Sequence, residues 1–108
     1  MAEKSIIRPT FSYLGNYIIS DNVLRTIIEH IGNGIDGIHK IQKIKIENYP
    51  DGLVGYVDVV MVYGYNLPDI MKIFKEKAKK EVERLTAMNV LDIQVVAKEL
   101  YIPEDREK

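Results

Sequence analysis

Residues 40–64 read KIQKIKIENYPDGLVGYVDVVMVYG, and the fold turns on how they are read. At positions 43–47 charged side chains alternate with Ile44 and Ile46, the period-2 pattern of a strand with one wet face and one buried face. Tyr49-Pro50-Asp51-Gly52 is a turn signal, because proline presets its own φ and glycine accepts conformations that other residues avoid. Residues 53–62 are rich in β-branched and aromatic side chains and apolar on both sides, as befits a central strand. The stretch predicts a β-hairpin. Asp58 orients its second strand. With Asp58 toward water, Val57, Val59 and Met61 face the core, and Tyr56, Val60 and Val62 share the outer face.

On the N-terminal side lies Gly32-Asn33-Gly34-Ile35-Asp36-Gly37, a literal G-x-G-x-x-G. In a dinucleotide-binding fold those glycines join a strand to the following helix, so that a pyrophosphate meets the helix N-terminus. Here a helix precedes the string. Ser20 is an N-cap residue, Asp21 suits the first turn, and Val23, Ile27, Ile28 and Ile31 form one apolar stripe. The string therefore joins a helix C-terminus to a strand, where the dipole disfavours phosphate. It reads as a helix stop, with Gly32 or Gly34 as a left-handed cap. A first strand is expected at residues 13–19.

On the C-terminal side, Asn66, Pro68 and Asp69 open a second helix as cap, first-turn proline and capping acid. Ile70, Phe74, Ala78, Val82 and Leu85 line its inner face. Residues 90–100 alternate again, with Leu91, Ile93, Val95 and Ala97 on one side. The predicted fold class is α+β, in the order β-α-β-β-α-β, with a mostly antiparallel sheet and two helices on one of its faces. Residues 1–12 are expected to be an N-terminal arm, 13–102 a single domain, and 103–108 a polar tail.

The chain of 108 residues is 46% hydrophobic and 29% charged, ordinary values for one globular domain. The net charge of -1 and pI near 6.1 show no basic excess, which argues against nucleic acid as a partner. The absence of cysteine removes disulfides, thiolate catalysis and cysteine-based zinc sites. No signal-like apolar stretch opens the chain and no apolar run is long enough to span a bilayer, so a cytoplasmic location is expected.

Catalytic machinery does not emerge. His30 and His39, nine positions apart around Asp36, lack metal-ligand spacing. Residues 72–84 mix lysines with Glu76, Glu81 and Glu83, as a solvated helix face does. No catalytic, cofactor-binding or metal-binding residue is assigned, and the chain is read as a non-enzyme. The outer sheet face, with Tyr56, Val60, Val62 and Val96 rimmed by polar groups, has the character of a partner surface. The junction carrying Tyr63 and Tyr65 is the second candidate.

The stretches GNYIISDNVLRTII, GIDGI, VDVVMVYGYNLPDI and KEVERLTAMNVLDIQVV give the chain a resemblance to the alkaline shock protein family, also called the Gls-type envelope stress response family, of Gram-positive and related bacteria. The matching features are Ile19-Ser20 before the first helix, Ile35-Asp36-Gly37-Ile38 after it, and Tyr63-Gly64-Tyr65-Asn66-Leu67-Pro68 before the second. The resemblance implies a non-enzymatic interaction or scaffold protein of cell-envelope homeostasis or stress response. It implies homo-oligomers and protein partners, a membrane-anchored one among them, which would hold the chain near the membrane. The alternative reading is a small regulatory or nucleic-acid-binding module.

Overall fold

The computed structural model describes residues 5–9 and 16–103, and the side chains from Ile18 onward. The elements follow in the order β1 (Ser5–Pro9), β2 (Asn16–Ser20), α1 (Asp21–Asn33), β3 (Ile38–Tyr49), β4 (Gly52–Val62), α2 (Leu67–Thr86) and β5 (Val90–Tyr101). From β2 onward this is the expected β-α-β-β-α-β order. The main sheet has three strands in the spatial order β3-β4-β5. The β3–β4 hairpin is antiparallel and turns through Pro50 and Asp51, with Tyr49 opposite Gly52. The chain then crosses through α2 and returns with β5 parallel to β4, since a parallel neighbour requires a long crossover.

Of the strand expected at residues 13–19, residues 16–19 fall in β2, and residues 13–15 lie outside the described residues. β2 pairs antiparallel with β1, in a two-stranded sheet of its own. Two of the three strand pairings are thus antiparallel.

Both helices start as their cap residues dictate. The Ser20 hydroxyl accepts the Asn22 N–H at 3.1 Å, and the Asn66 carboxamide oxygen accepts the Asp69 N–H at 3.2 Å. α1 packs on β3 and α2 on β5, both over the face that carries Ile46, Val57, Val59, Met61 and Ile93. These side chains are at most 2% exposed and close a core with Leu24, Ile28, Phe74, Ala78 and Val82. Asp58 turns the other way, as its charge requires, and Val57, Val59 and Met61 are fully buried.

The inner stripes of both helices differ by a residue from the expected ones. On α1 the buried positions are Leu24, Ile28 and Gly32, whereas Val23 is 46% exposed. Gly32 explains the rotation. A Cβ there would stand 2.5 Å from Ile41 Cδ1 and 3.2 Å from Phe74 Cε1, so the helix meets strand and neighbouring helix through a bare backbone. On α2 the buried line runs Phe74, Ala78, Val82, Thr86, and Leu85 is exposed. Thr86 is tolerated inside because its hydroxyl donates to the Val82 carbonyl at 2.7 Å and accepts from the Met88 N–H at 3.1 Å.

The glycine string lies between α1 and β3, at the C-terminal end of a helix. Neither Gly32 nor Gly34 is a left-handed cap. Gly32 is helical, and Gly34 closes α1 at φ -95°. The positive φ falls at Gly37, at 103°, where a side chain would also strike Ile70, 2.9 Å away.

Candidate functional site

With both helices on one face, no described helix covers the opposite face of the main sheet. The β3–β4 register sets Lys43 opposite Asp58, Lys45 opposite Tyr56, and Glu47 opposite Val54. β5 adds Gln94 beside Tyr56 and Val96 beside Asp58. A shallow depression lined by Lys43, Lys45, Glu47, Tyr56 and Asp58 occupies the middle of this face. The Lys45 ammonium lies 3.2 Å from Glu47 and 6.0 Å from the centroid of the Tyr56 ring. The Tyr49 hydroxyl donates to Glu47 at 2.6 Å. That bond to a carboxylate, reinforced by Tyr56, holds the Tyr49 phenol well above its ordinary pKa. Both signs of charge alternate across the depression, so it carries no cationic stripe for a phosphate backbone.

At the far end of the face, the His39 ring on β3 stacks on the Tyr101 ring on β5, with centroids 3.9 Å apart and planes at 6°. The two rings meet across β4 near Val60 and Val62. His30, by contrast, lies in the last turn of α1. Among the described residues no group of three or more His, Asp or Glu side chains could hold a metal ion.

The residues singled out for partner binding are distributed as follows. Val60 is on the outer face as Asp58 implied, but only 3% exposed. Tyr56 and Val62 are half-buried. Val96, Tyr63 and Tyr65 are 47%, 61% and 45% exposed. Tyr63 donates its N–H to the Tyr101 carbonyl at 2.8 Å, so the tyrosine junction adjoins the end of β5.

Sequence reasoning missed the C-terminal half of β5. Leu100 and Tyr101 at the end of β5, and Ile102 just after it, are exposed apolar side chains downstream of Val96, and they form the longest consecutive run of exposed large apolar side chains among the described residues. Their clustering was visible as a string of apolar letters. The regular alternation upstream suggested that one side of the strand would be covered throughout.

The fold, an α+β layer of two helices on a mixed sheet, is similar to that of several solved C-terminal domains. The chain superimposes on the metal-bound C-terminal domain of the CzcD transporter from Thermotoga maritima with a TM-score of 0.56, at 11% identity over 73% of this chain and 90% of that one. Two variants of the MamM C-terminal domain, one of them in a copper form, superimpose with TM-scores of 0.52 and 0.53. Each is 7% identical over 78% of this chain, covering 99% and 96% of the MamM chains. At such identities the likeness is one of fold. No protein-family model matches the chain, and no curated protein does.

These neighbours overturn the resemblance to the alkaline shock protein family, and the envelope-stress role loses its support with it. The physical reason lies in the residues that carried the resemblance. Ile19-Ser20 ends a strand and caps α1, Gly37 takes a positive φ, and Asn66 to Pro68 cap and start α2. These are demands of strand–helix junctions, and any chain with this order of elements meets them in similar ways.

Proposed function

We propose that this chain is a non-catalytic protein-interaction module that associates with copies of itself and with protein partners through the exposed C-terminal end of β5. The observation that carries the reading is the concentration of exposed Val96, Leu100 and Tyr101 on β5 and Ile102 just beyond it, next to Tyr63. Water-facing apolar side chains gathered in one place are the mark of a surface that another protein covers. Likeness in fold to a transporter's C-terminal domain supports a role in the cytoplasm beside a membrane. No described helix is long and apolar enough to cross a bilayer, and a membrane-anchored partner is part of this reading.

Sedimentation velocity over roughly 1 μM to 1 mM, the range in which weak to moderate association is read, tests the reading. The expected result is a concentration-dependent rise from the 12.4 kDa monomer to a dimer or larger. A monomer throughout the range would overturn self-association.

A further inference from the structure

An exposed strand edge offers unpaired N–H and C=O groups to any other chain, and proteins usually blunt such edges. Among the described residues the outer edge of β5 has no strand beside it, and side chains blunt only its first half. The Val90 N–H donates to the Glu83 carboxylate at 3.0 Å. The Ile93 N–H donates to the Asp92 carboxylate at 2.9 Å, and Asp92 is itself held by Lys75 at 3.1 Å. From Val95 to Tyr101 no side chain among the described residues covers the edge in this way.

Backbone groups alternate in direction along a strand as side chains do. The Tyr101 carbonyl is turned inward, toward Tyr63. The Ile93 N–H is taken by a side chain and not by β4. The register shift that skips Lys98 reconciles the two. Ile93, Val95 and Ala97 turn their backbone groups outward before the bulge, and Leu100 and Ile102 do so after it.

We propose that two copies of this chain pair β5 with β5 in antiparallel register, about a two-fold axis beside Lys98 and Glu99, and merge two three-stranded sheets into one of six strands. The proposal rests on the reading of the chain as a self-associating module and names the surface. The second half of β5 is complementary to itself in this register. Ala97 pairs with the partner's Leu100 and Val95 with the partner's Ile102, all with outward backbone groups and side chains on the helix face. Val96 pairs with the partner's Tyr101 on the open face, where stacking on His39 already fixes that ring. At the axis Lys98 of each copy meets the partner's Glu99, so opposite charges pair where like charges would otherwise oppose. Beside Val95, a groove between α2 and β5 is lined by Pro68, Met71, Lys72 and Lys75. The register delivers the partner's Ile102 to its mouth.

The absence of cysteine from the chain makes a single introduced thiol a clean reporter. Glu99→Cys places two thiols by the axis, within the Cα separation of about 4.4–6.8 Å that a disulfide needs. Gln94→Cys lies far from the axis. Mild oxidation should link the first variant into a covalent dimer and leave the second unlinked. Leu100→Lys, at an exposed position, should weaken self-association at least tenfold in sedimentation, with circular dichroism showing an unchanged fold. If the wild type dimerises but Glu99→Cys stays unlinked and Leu100→Lys binds as before, the pairing is wrong and self-association through another surface stands. A wild type that is monomeric at every concentration overturns both.

Discussion

Ala87 closes α2 in the left-handed conformation, at φ 60°, and donates its N–H to the Glu83 carbonyl at 2.9 Å. A side chain there costs about 1 kcal/mol, because Cβ crowds the following carbonyl, and glycine does not bear that cost. Ala87 is exposed, so removing its methyl group gives up no packing. Ala87→Gly should raise the melting temperature by several degrees, since about 1 kcal/mol corresponds to about 4–8 °C in a domain of this size. Thermal unfolding by circular dichroism measures it, and an unchanged or lower midpoint would count against strain at this cap. Residue-scale features of this kind divide into legible and illegible ones. The Ser20 and Asn66 caps could be read directly, because cap chemistry acts within two or three residues of the cap itself. The left-handed Ala87 could not, because alanine is not chosen for that conformation. It is imposed by the need to bring Asn89 beside Asp51 and Leu53, where its amide donates to the Asp51 carbonyl at 2.9 Å and its carbonyl accepts the Leu53 N–H at 3.0 Å.

At the scale of elements, the connection from α1 to β3 depends on Gly37. Its φ of 103° is closed to side chains, and the space beside it belongs to Ile70 on α2. Gly37→Ala should destabilise the protein by about 2 kcal/mol, a backbone penalty of about 1–3 kcal/mol for such conformations with crowding added. Urea unfolding should show the loss as a lower midpoint with an unchanged slope. A midpoint equal to that of the wild type would show that the turn relaxes at no cost. The helices and strands themselves were legible, because alternation and i,i+4 spacing depend on local geometry alone. The exact buried stripe was not. Periodicity counts apolar letters, so Gly32, the point of closest approach on α1, was invisible to it, and Val23 was drawn into the stripe in its place. Thr86 was missed for the related reason that its hydroxyl is satisfied within its own turn.

For the whole molecule, the consequence of layering two helices on one side of three strands is a surface with two different characters. The middle of the open face is charged and mutually paired, through Lys45, Glu47 and Tyr49. The end of β5 is apolar and, among the described residues, exposed at Leu100 and Tyr101. If copies associate there, the native state gains stability by mass action. The melting temperature of the wild type should then climb as protein concentration is raised a hundredfold, and that of Leu100→Lys should stay flat. A flat wild-type curve would speak against association of the folded state. The amino-acid sequence by itself determined the hairpin, the two capped helices, the β-α-β-β-α-β order and the outward side of Asp58, all of which follow from residue chemistry acting over a few positions. Only the tertiary structure decided that β5 joins the sheet as an edge strand. It also decided that β2 pairs with Ser5–Pro9 and that His39 meets Tyr101 rather than His30. These depend on which distant segments come together, and such long-range pairings leave no periodic trace in the chain. For the same reason, the neighbours in fold were not those that local motifs suggested. Caps and turns recur wherever strands meet helices, whereas the arrangement of strands in the sheet distinguishes one fold from another.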